Sequence, residues 1–178
     1  MARQGDDSSA IARRQGIAAF PIRTLRIPDT MLIADQFILE KNKYEADGFF
    51  IDETGGYGAG VIDAMRRLSH DVIGVHFAGR PNDYRYFNKR SEMYFEMAKW
   101  VKAGRALPPD RELKEELCAT TYVFQGDKFR IVEKDLIKDV IGRSPDRSDA
   151  LALTFAHPVG KRPPEGQRGV NREYDPFE

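Results

Sequence analysis

The sequence predicts an α/β fold in which a mixed β-sheet is flanked by helices and carries an added β-hairpin. Two apolar runs without alternation, residues 48–52 and 71–77, are typical of central strands that are covered on both faces. The helical spacing of Val61, Met65 and Leu68 places a helix between them. A strand–helix–strand order of this kind predicts parallel strands joined by right-handed crossovers.

The other elements follow from turn, cap and periodicity signals. Residues 9–15 and 17–25 predict two strands joined at Gln15-Gly16, which make the sheet mixed. The patterns then predict a helix capped by Asp29 that ends near residues 46–48, a helix capped by Ser91 that ends at Gly104, a helix over 110–118, a hairpin of residues 122–124 and 129–131, a helix over 134–141 that stops at Gly142, and a last helix with Ser144 as N-cap and Pro145 as its first residue.

Composition and charge narrow the function classes. The 178 residues include 28 basic and 28 acidic side chains, so any DNA-binding face must be local. The single cysteine, Cys118, excludes an internal disulfide and suits a reducing cytoplasm. No apolar stretch is long enough to span a bilayer, so no membrane partner is expected.

Two acidic patches, about ninety residues apart, carry the chemical signal. Asp52 stands at the predicted carboxyl end of a central strand, where functional residues of α/β sheets gather. Asp146 and Asp149 share one face of the last helix, at positions i and i+3. Carboxylates beside buried segments are costly to desolvate unless a cation or hydrogen bonds compensate, and Mg²⁺ or Mn²⁺ requires hard oxygen ligands. The pattern therefore predicts a metal site.

Each of these acids also has an ordinary structural explanation. Asp52 is equally explained as a turn or cap residue of the glycine bend that follows, and Asp146 as a first-turn acid that matches the helix dipole. Asp149 is harder to explain in this way, because residues 150–155 are apolar nearly all round. Glu53 points to the opposite strand face from Asp52, and Asp52 is the favoured site residue.

The glycine-rich residues 55–60 do not indicate a nucleotide site. They lack the G-x-G-x-x-G register, and G-x-x-x-x-G-K-[ST] occurs nowhere in the chain. A nucleotide-binding α/β enzyme is therefore disfavoured, and the segment is interpreted as a permissive turn that leads into a helix.

Several motifs together resemble the nuclease domain of phage terminase large subunits. They are residues 2–9 (ARQGDDSS), 51–55 (IDETG) with 58–61 (GAGV), 88–93 (NKRSEM) and 144–151 (SPDRSDAL). These motifs occur in the family's order, and the resemblance covers about residues 1 to 157. The D-x-x-D spacing of Asp146 and Asp149 also resembles that of Holliday-junction resolvases of the RuvC type.

This resemblance implies an RNase H-like fold and an endonuclease that uses two Mg²⁺ or Mn²⁺ ions to cut concatemeric double-stranded viral DNA during genome packaging. It implies that Asp52 is the acid on the central strand and Asp149 the acid on the last helix, with Asp146 as a further catalytic and metal-binding candidate. The implied partners are the terminase ATPase domain, the small terminase subunit and the portal, in the cytoplasm of a bacterial host.

Local basic clusters supply candidates for DNA binding. Lys89, Arg90 and Arg147 lie within the family motifs and are predicted to hold phosphates near the site. Ordinary solvated surface is the better explanation of any single basic pair.

The match departs from the family at its start. Members usually carry a first catalytic aspartate on a strand just before the position that matches Ala2-Arg3, and Met1 stands after that place. Asp6 and Asp7 are the nearest acids, but they lie in the following turn. We therefore expect a nuclease domain over residues 1–157 with an incomplete first strand, and a flexible tail over residues 158–178. The alternative is a catalytically impaired prophage remnant or fragment that keeps the fold and weak binding to DNA or protein.

Overall fold

A computed structural model describes residues 8–54 and 56–160 of the chain. In this part the elements follow in the order β1 (Ser9–Ile11), β2 (Arg14–Gln15), β3 (Ala18–Ala19), β4 (Arg23–Leu25), α1 (Thr30–Lys43), β5 (Phe50–Asp52), α2 (Gly56–Arg67), β6 (Ile73–Val75), α3 (Lys89–Lys102), α4 (Arg111–Ala119), β7 (Tyr122–Gln125), β8 (Lys128–Ile131), α5 (Lys134–Ile141) and α6 (Asp146–Leu153). None of these helices is long and apolar enough to cross a membrane. Asp6, Asp7 and residues 161–178 of the predicted tail lie outside the described residues, so the predicted domain boundary stays a prediction.

The parallel pair that the sequence predicts is formed by β5 and β6. The register runs from Phe50 opposite Ile73 to Asp52 opposite Val75. The ladder continues past the strand end, because the Glu53 N–H donates to the Val75 carbonyl oxygen over 3.1 Å. The prediction of two parallel strands is confirmed, although each strand is shorter than its apolar run.

The amino-terminal segment folds back on itself as predicted, but its pairing is interrupted. β1 pairs antiparallel with β4, and β2 with β3, around a turn at Gly16 whose φ of 54° favours glycine. β7 and β8 form the added hairpin, closed by Gly126 and Asp127. In the described part of the chain the strands pair two by two rather than in one long ladder. The predicted α/β class, with parallel and antiparallel pairs, flanking helices and an added hairpin, is confirmed.

Of the three predicted N-cap residues, one agrees with the structure and two differ. Asp29 caps α1, since its side chain accepts from two N–H groups of the first turn. Asn88, not Ser91, caps α3: its Oδ1 accepts from the Ser91 N–H over 2.9 Å. Pro145 itself is the N-cap of α6, so the predicted cap, Ser144, lies one residue too early in the chain. Proline suits the N-cap because the missing N–H would have no helical partner there.

Helix ends are predicted well where glycine marks them and poorly elsewhere. Gly104 and Gly142 follow α3 and α5 with φ of 76° and 75°, as the sequence indicates. α1 ends at Lys43, several residues before the predicted end, and Glu45 takes the left-handed conformation. Leu68 follows α2 and is 46% exposed, so it does not continue the buried stripe of that helix.

Two apolar cores lie on opposite faces of β5. One is formed with α1 and α2 and includes Ile51. The other is formed largely by α3, α4 and α6, and Phe50 packs against it. Because alternate side chains of a strand point to opposite faces, Asp52 shares the Phe50 face and points toward α6.

Gly58 explains the glycine-rich segment after β5. A Cβ atom at this position would overlap the backbone carbonyl oxygen of Asp52. α2 therefore begins directly against the carboxyl end of β5, an approach that only glycine permits. The glycine serves close packing at the end of the strand that carries the candidate acid.

Candidate active site

A cleft of about 120 Å³ opens between β1, β5 and α6. The three candidate acids, Asp52, Asp146 and Asp149, all line it, and so does Lys134 from the start of α5. Phe77 adds to an apolar wall. The fold thus brings acids from two distant segments into one cleft, and the binding of a metal ion by these acids stays a prediction.

Asp52 is half-buried at the carboxyl end of β5. Its Oδ1 accepts a hydrogen bond from the Thr54 N–H over 2.9 Å. The Thr54 Oγ1 in turn accepts from the Phe77 N–H over 3.1 Å, which ties the turn to the segment after β6. Asp52 therefore does stabilise the turn, as its ordinary structural explanation requires, and it lines the cleft at the same time.

Asp149 is buried, with 6% exposure, and its Oδ1 is held from α3. Arg90 Nε donates to this oxygen over 3.2 Å and the Tyr94 hydroxyl donates over 2.7 Å. Arg90 and Tyr94 are four residues apart and so lie on one face of α3. Arg90 is fixed in turn by the Val132 carbonyl oxygen, which accepts from Nη1 over 2.7 Å.

The second carboxylate oxygen of Asp149 lies against Lys134. Oδ2 is buried, and it forms an ion pair with Lys134 Nζ at 2.6 Å. Burial acts to raise the pKa of Asp149, but the Lys134 and Arg90 cations and the Tyr94 hydrogen bond outweigh it, so that this pKa lies below its usual value. Asp149 is thus a charged carboxylate with one oxygen held from α3 and the other paired with Lys134.

Asp146 opens α6 and ties it to the start of β1. Its Oδ2 accepts from the Ser8 N–H over 3.1 Å, and its Oδ1 accepts from the Ser144 hydroxyl over 2.8 Å. As the first helical residue it also matches the helix dipole. Asp146 therefore has structural partners and faces the cleft as well.

The DNA-binding candidates Lys89 and Arg90 are buried rather than displayed. Lys89 Nζ lies 2.5 Å from Glu92 Oε2, while Glu92 Oε1 accepts from two backbone N–H groups of the preceding loop. Arg90 is 6% exposed and pairs with Asp149. Neither head group is free to meet a phosphate in this structure, because both charges balance carboxylates within the chain.

The third DNA-binding candidate, Arg147, bridges α6 to α4. Its Nη1 lies 2.9 Å from Asp110 Oδ2, and its Nε lies 2.7 Å from Glu112 Oε2. A contact between Arg147 and DNA requires these ion pairs to open, and it stays a prediction.

Sequence reasoning missed four residues that surround Asp149 or its helix. They are Lys134, Tyr94, Ser148 and Glu116. The spacing of Arg90 and Tyr94 on a helix was visible, but nothing in the sequence connects α3 to α6. The positions of these partners depend on long-range packing, which local patterns do not encode.

Glu116 is a buried carboxylate of α4 with an altered acidity. Burial raises its pKa from 4.5 to about 7, and the hydrogen bonds from Ser148 and the charge of Arg143 oppose this rise. Its Oε2 accepts from the Ser148 N–H over 2.7 Å. The side chain is 1% exposed, so water does not solvate its charge.

The raised pKa predicts a pH-dependent difference in stability between the wild type and Glu116→Gln. A carboxyl group whose pKa is higher in the folded state stabilises that state below about pH 4.5, and this stabilisation is lost as the pH rises through 7. The measured quantity is the difference in the free energy of unfolding, wild type minus Glu116→Gln. We expect this difference to fall by about 3 kcal/mol between pH 4.5 and pH 8. Urea denaturation in EDTA at several pH values measures it. A difference that stays constant or grows with pH would contradict the assignment.

The carboxylate oxygens that line the cleft are of the type that binds a hard divalent cation. Carboxylate oxygens are the ligands that Mg²⁺ and related ions prefer, and Asp149 Oδ2 is a buried oxygen paired with Lys134. Within residues 8–54 and 56–160, however, no three His, Cys, Asp or Glu side chains are grouped closely enough to hold a metal ion. The contact between Lys134 and Asp149 would have to open for a cation to reach Oδ2.

No protein-family model and no curated protein matches the sequence. Solved structures do match its fold. The nuclease domain of the large terminase subunit gp2 of bacterial virus Sf6 superposes with a TM-score of 0.72 and 20% sequence identity, over 89% of this chain and 86% of that chain. The fold is that of a terminase nuclease domain.

Two further structures of the Sf6 terminase, both of a lysine-to-alanine mutant, contain metal ions. The mutant gp2c with calcium has a TM-score of 0.71 and 20% identity, over 88% of this chain and 85% of that chain. The mutant nuclease domain with manganese has a TM-score of 0.67 and 20% identity, over 83% and 82%. The predicted RNase H-like α/β class and the resemblance to terminase nuclease domains are thereby confirmed at the level of the fold.

Proposed function

We propose that this chain is the metal-dependent endonuclease domain of a viral DNA-packaging terminase and cuts concatemeric double-stranded DNA. One observation carries the proposal: Asp52 from β5 and Asp146 and Asp149 from α6 line one cleft. The fold that places them there is shared with a terminase nuclease domain that was solved with manganese.

The three acids would hold two Mg²⁺ or Mn²⁺ ions, and the chemistry such ions supply is to lower the pKa of an attacking water and to stabilise the leaving 3′-oxygen of a phosphodiester. The role of the protein's own residues is to keep these carboxylates charged and correctly oriented. Arg90 and Tyr94 fix one oxygen of Asp149, and the Thr54 N–H fixes one oxygen of Asp52. Such supporting contacts set the orientation of ligands in metal sites.

The proposal includes the wider setting of a packaging terminase. Double-stranded DNA is the substrate, and Lys89 and Arg147 contribute phosphate contacts when their ion pairs open, whereas Arg90 stays on Asp149. The reaction takes place in the cytoplasm of a bacterial host. The ATPase domain of the terminase, the small subunit and the portal are the proposed protein partners.

A second candidate function is favoured by the contact between Asp149 and Lys134. The Lys134 ammonium neutralises a charge that divalent ions would need, and the described residues lack a group of three ligands at metal-binding separation. This reading makes the chain a non-catalytic domain that keeps the fold and binds DNA or a protein weakly.

A plasmid-cleavage assay distinguishes the two candidates. Supercoiled plasmid is incubated with the 178-residue chain in Mn²⁺, in Mg²⁺ or in EDTA, and the products are separated on an agarose gel. We expect nicked and linear plasmid with either metal ion and none with EDTA. Retarded but uncut plasmid under all conditions would support the second candidate, and plasmid that is neither cut nor retarded would contradict a DNA-directed function.

A further inference from the structure

α6 carries two of the three candidate acids but lacks a capping side chain of its own. Its N-cap residue, Pro145, makes no side-chain cap hydrogen bond. The first turn of a helix has N–H groups without a partner inside the helix, and these require an acceptor when they are buried. Ser148, the third residue of α6, has 0% exposure, so water cannot serve as the acceptor for its N–H.

Glu116 of α4 supplies this acceptor from another part of the chain. Its Oε2 accepts from the Ser148 N–H over 2.7 Å. Its contact with Arg143 is looser, because Arg143 Nε lies 3.8 Å from Oε1 and makes no hydrogen bond. The short contact of this buried carboxylate is therefore the one to the backbone of α6, not the one to a cation.

Ser148 connects this contact to Asp149. The Ser148 hydroxyl lies 2.9 Å from the Tyr94 hydroxyl, which donates to Asp149 Oδ1 over 2.7 Å. The first turn of α6 is thus held from α4 through a backbone N–H and from α3 through two hydroxyl groups. Asp149 is the next residue of this turn, and its carboxylate is contacted directly by Tyr94.

We propose that Glu116 is a positioning residue of this site, whose carboxylate oxygen takes the place of the absent N-cap side chain of α6 and fixes the turn that presents Asp149. Its effect on metal binding rests on the proposed function, whereas the capping of α6 does not. Loss of the acceptor leaves a buried N–H unpaired, which is costly, and allows the first turn to shift. Loss of a supporting contact in a metal site typically weakens metal affinity by about 10- to 100-fold.

Three substitutions of Glu116 distinguish the effect of its hydrogen-bond acceptor from the effects of its charge and its volume. Glu116→Gln keeps an acceptor oxygen but removes the charge. Glu116→Leu keeps the approximate volume but removes the acceptor. Glu116→Asp keeps the charge, but its side chain is one methylene group shorter and the carboxylate lies farther from Ser148. Glu115→Gln, at the half-buried neighbouring position of α4, is the matched control.

Two measurements are made on each variant. Amide hydrogen exchange at Ser148 and Asp149 reports the capping of α6, and calorimetric titration with MnCl₂ reports the metal site. We expect exchange at Ser148 to become roughly tenfold faster in Glu116→Leu and Glu116→Asp. Mn²⁺ affinity should fall by about 10- to 100-fold in the same two variants. Glu116→Gln and the control should exchange and bind like the wild type.

Unchanged exchange in Glu116→Leu, or faster exchange in Glu116→Gln than in Glu116→Leu, would overturn the positioning role. If the wild type binds no Mn²⁺, the proposed function fails, and the exchange at Ser148 alone still decides on Glu116. If Glu116→Leu does not fold, Glu116→Asp and Glu116→Gln give the same contrast, because the first loses the contact to Ser148 and the second retains it.

Discussion

Replacement of Asp52 by asparagine is expected to reduce metal-dependent plasmid cleavage by more than about 100-fold, which exceeds the usual loss for a supporting contact in a metal site. The substitution removes a charge that faces the cleft. The asparagine Oδ1 can still accept from the Thr54 N–H, so the turn after β5 should persist. The free energy of unfolding should therefore stay within about 1 kcal/mol of the wild type.

The neighbouring acid provides the control. Glu53→Gln removes a charge on the other face of the strand end, where the side chain lies beside Gly74 of β6, and should leave cleavage near the wild-type level. Initial rates of plasmid nicking in Mn²⁺ compare the three proteins. Undiminished cleavage by Asp52→Asn, or an equal loss in both variants, would show that the active site is not in this cleft.

Replacement of Arg90 by methionine is expected to lower the free energy of unfolding by about 3 kcal/mol or more. The change leaves the buried Asp149 carboxylate without one of its two cations and the Val132 carbonyl oxygen without its donor. Removal of one partner from a buried ion pair typically costs about 3–5 kcal/mol, because the other charge is stranded away from water. Urea denaturation in EDTA measures the effect without interference from bound metal.

Two further proteins make this measurement specific to the buried pair. Arg111→Met removes an exposed cation that pairs with Glu115, and such pairs contribute only about 0–1 kcal/mol. The double variant Arg90→Met with Asp149→Asn should lose less stability than the sum of the two single changes. Additive losses would mean that Arg90 does not stabilise the Asp149 charge.

The parts of the fold that were predictable are those that local patterns encode. The apolar runs around Phe50 and Ile73 indicated two strands, and the helix between them required those strands to be parallel. Ile73 is 46% exposed, so the prediction that β6 is covered on both faces was wrong. Gly104 and Gly142 ended their helices where expected, because the left-handed conformation favours glycine. The start of α3 was displaced because Asn88 and Ser91 are both good N-cap residues, and only the geometry selects the first.

The surroundings of the candidate site were less predictable. The i, i+3 spacing placed Asp146 and Asp149 on one helix face, and their position next to an apolar stretch indicated burial of Asp149. The basic pair Lys89-Arg90 predicts a DNA-binding surface, yet its charges balance Glu92 and Asp149 in the interior. No local sequence pattern distinguishes a basic pair at the surface from one that is buried beside carboxylates from distant parts of the chain.

The central claim, that the cleft between β5 and α6 is the metal site, is tested most directly by a crystal structure of the chain soaked in MnCl₂, with anomalous data collected at the manganese absorption edge. The account predicts anomalous density in the cleft at ligand distance from the Asp52 and Asp149 carboxylates, with the Lys134 ammonium displaced from Asp149 Oδ2. A cleft without anomalous density at saturating Mn²⁺, with the contact between Lys134 and Asp149 intact, would contradict it.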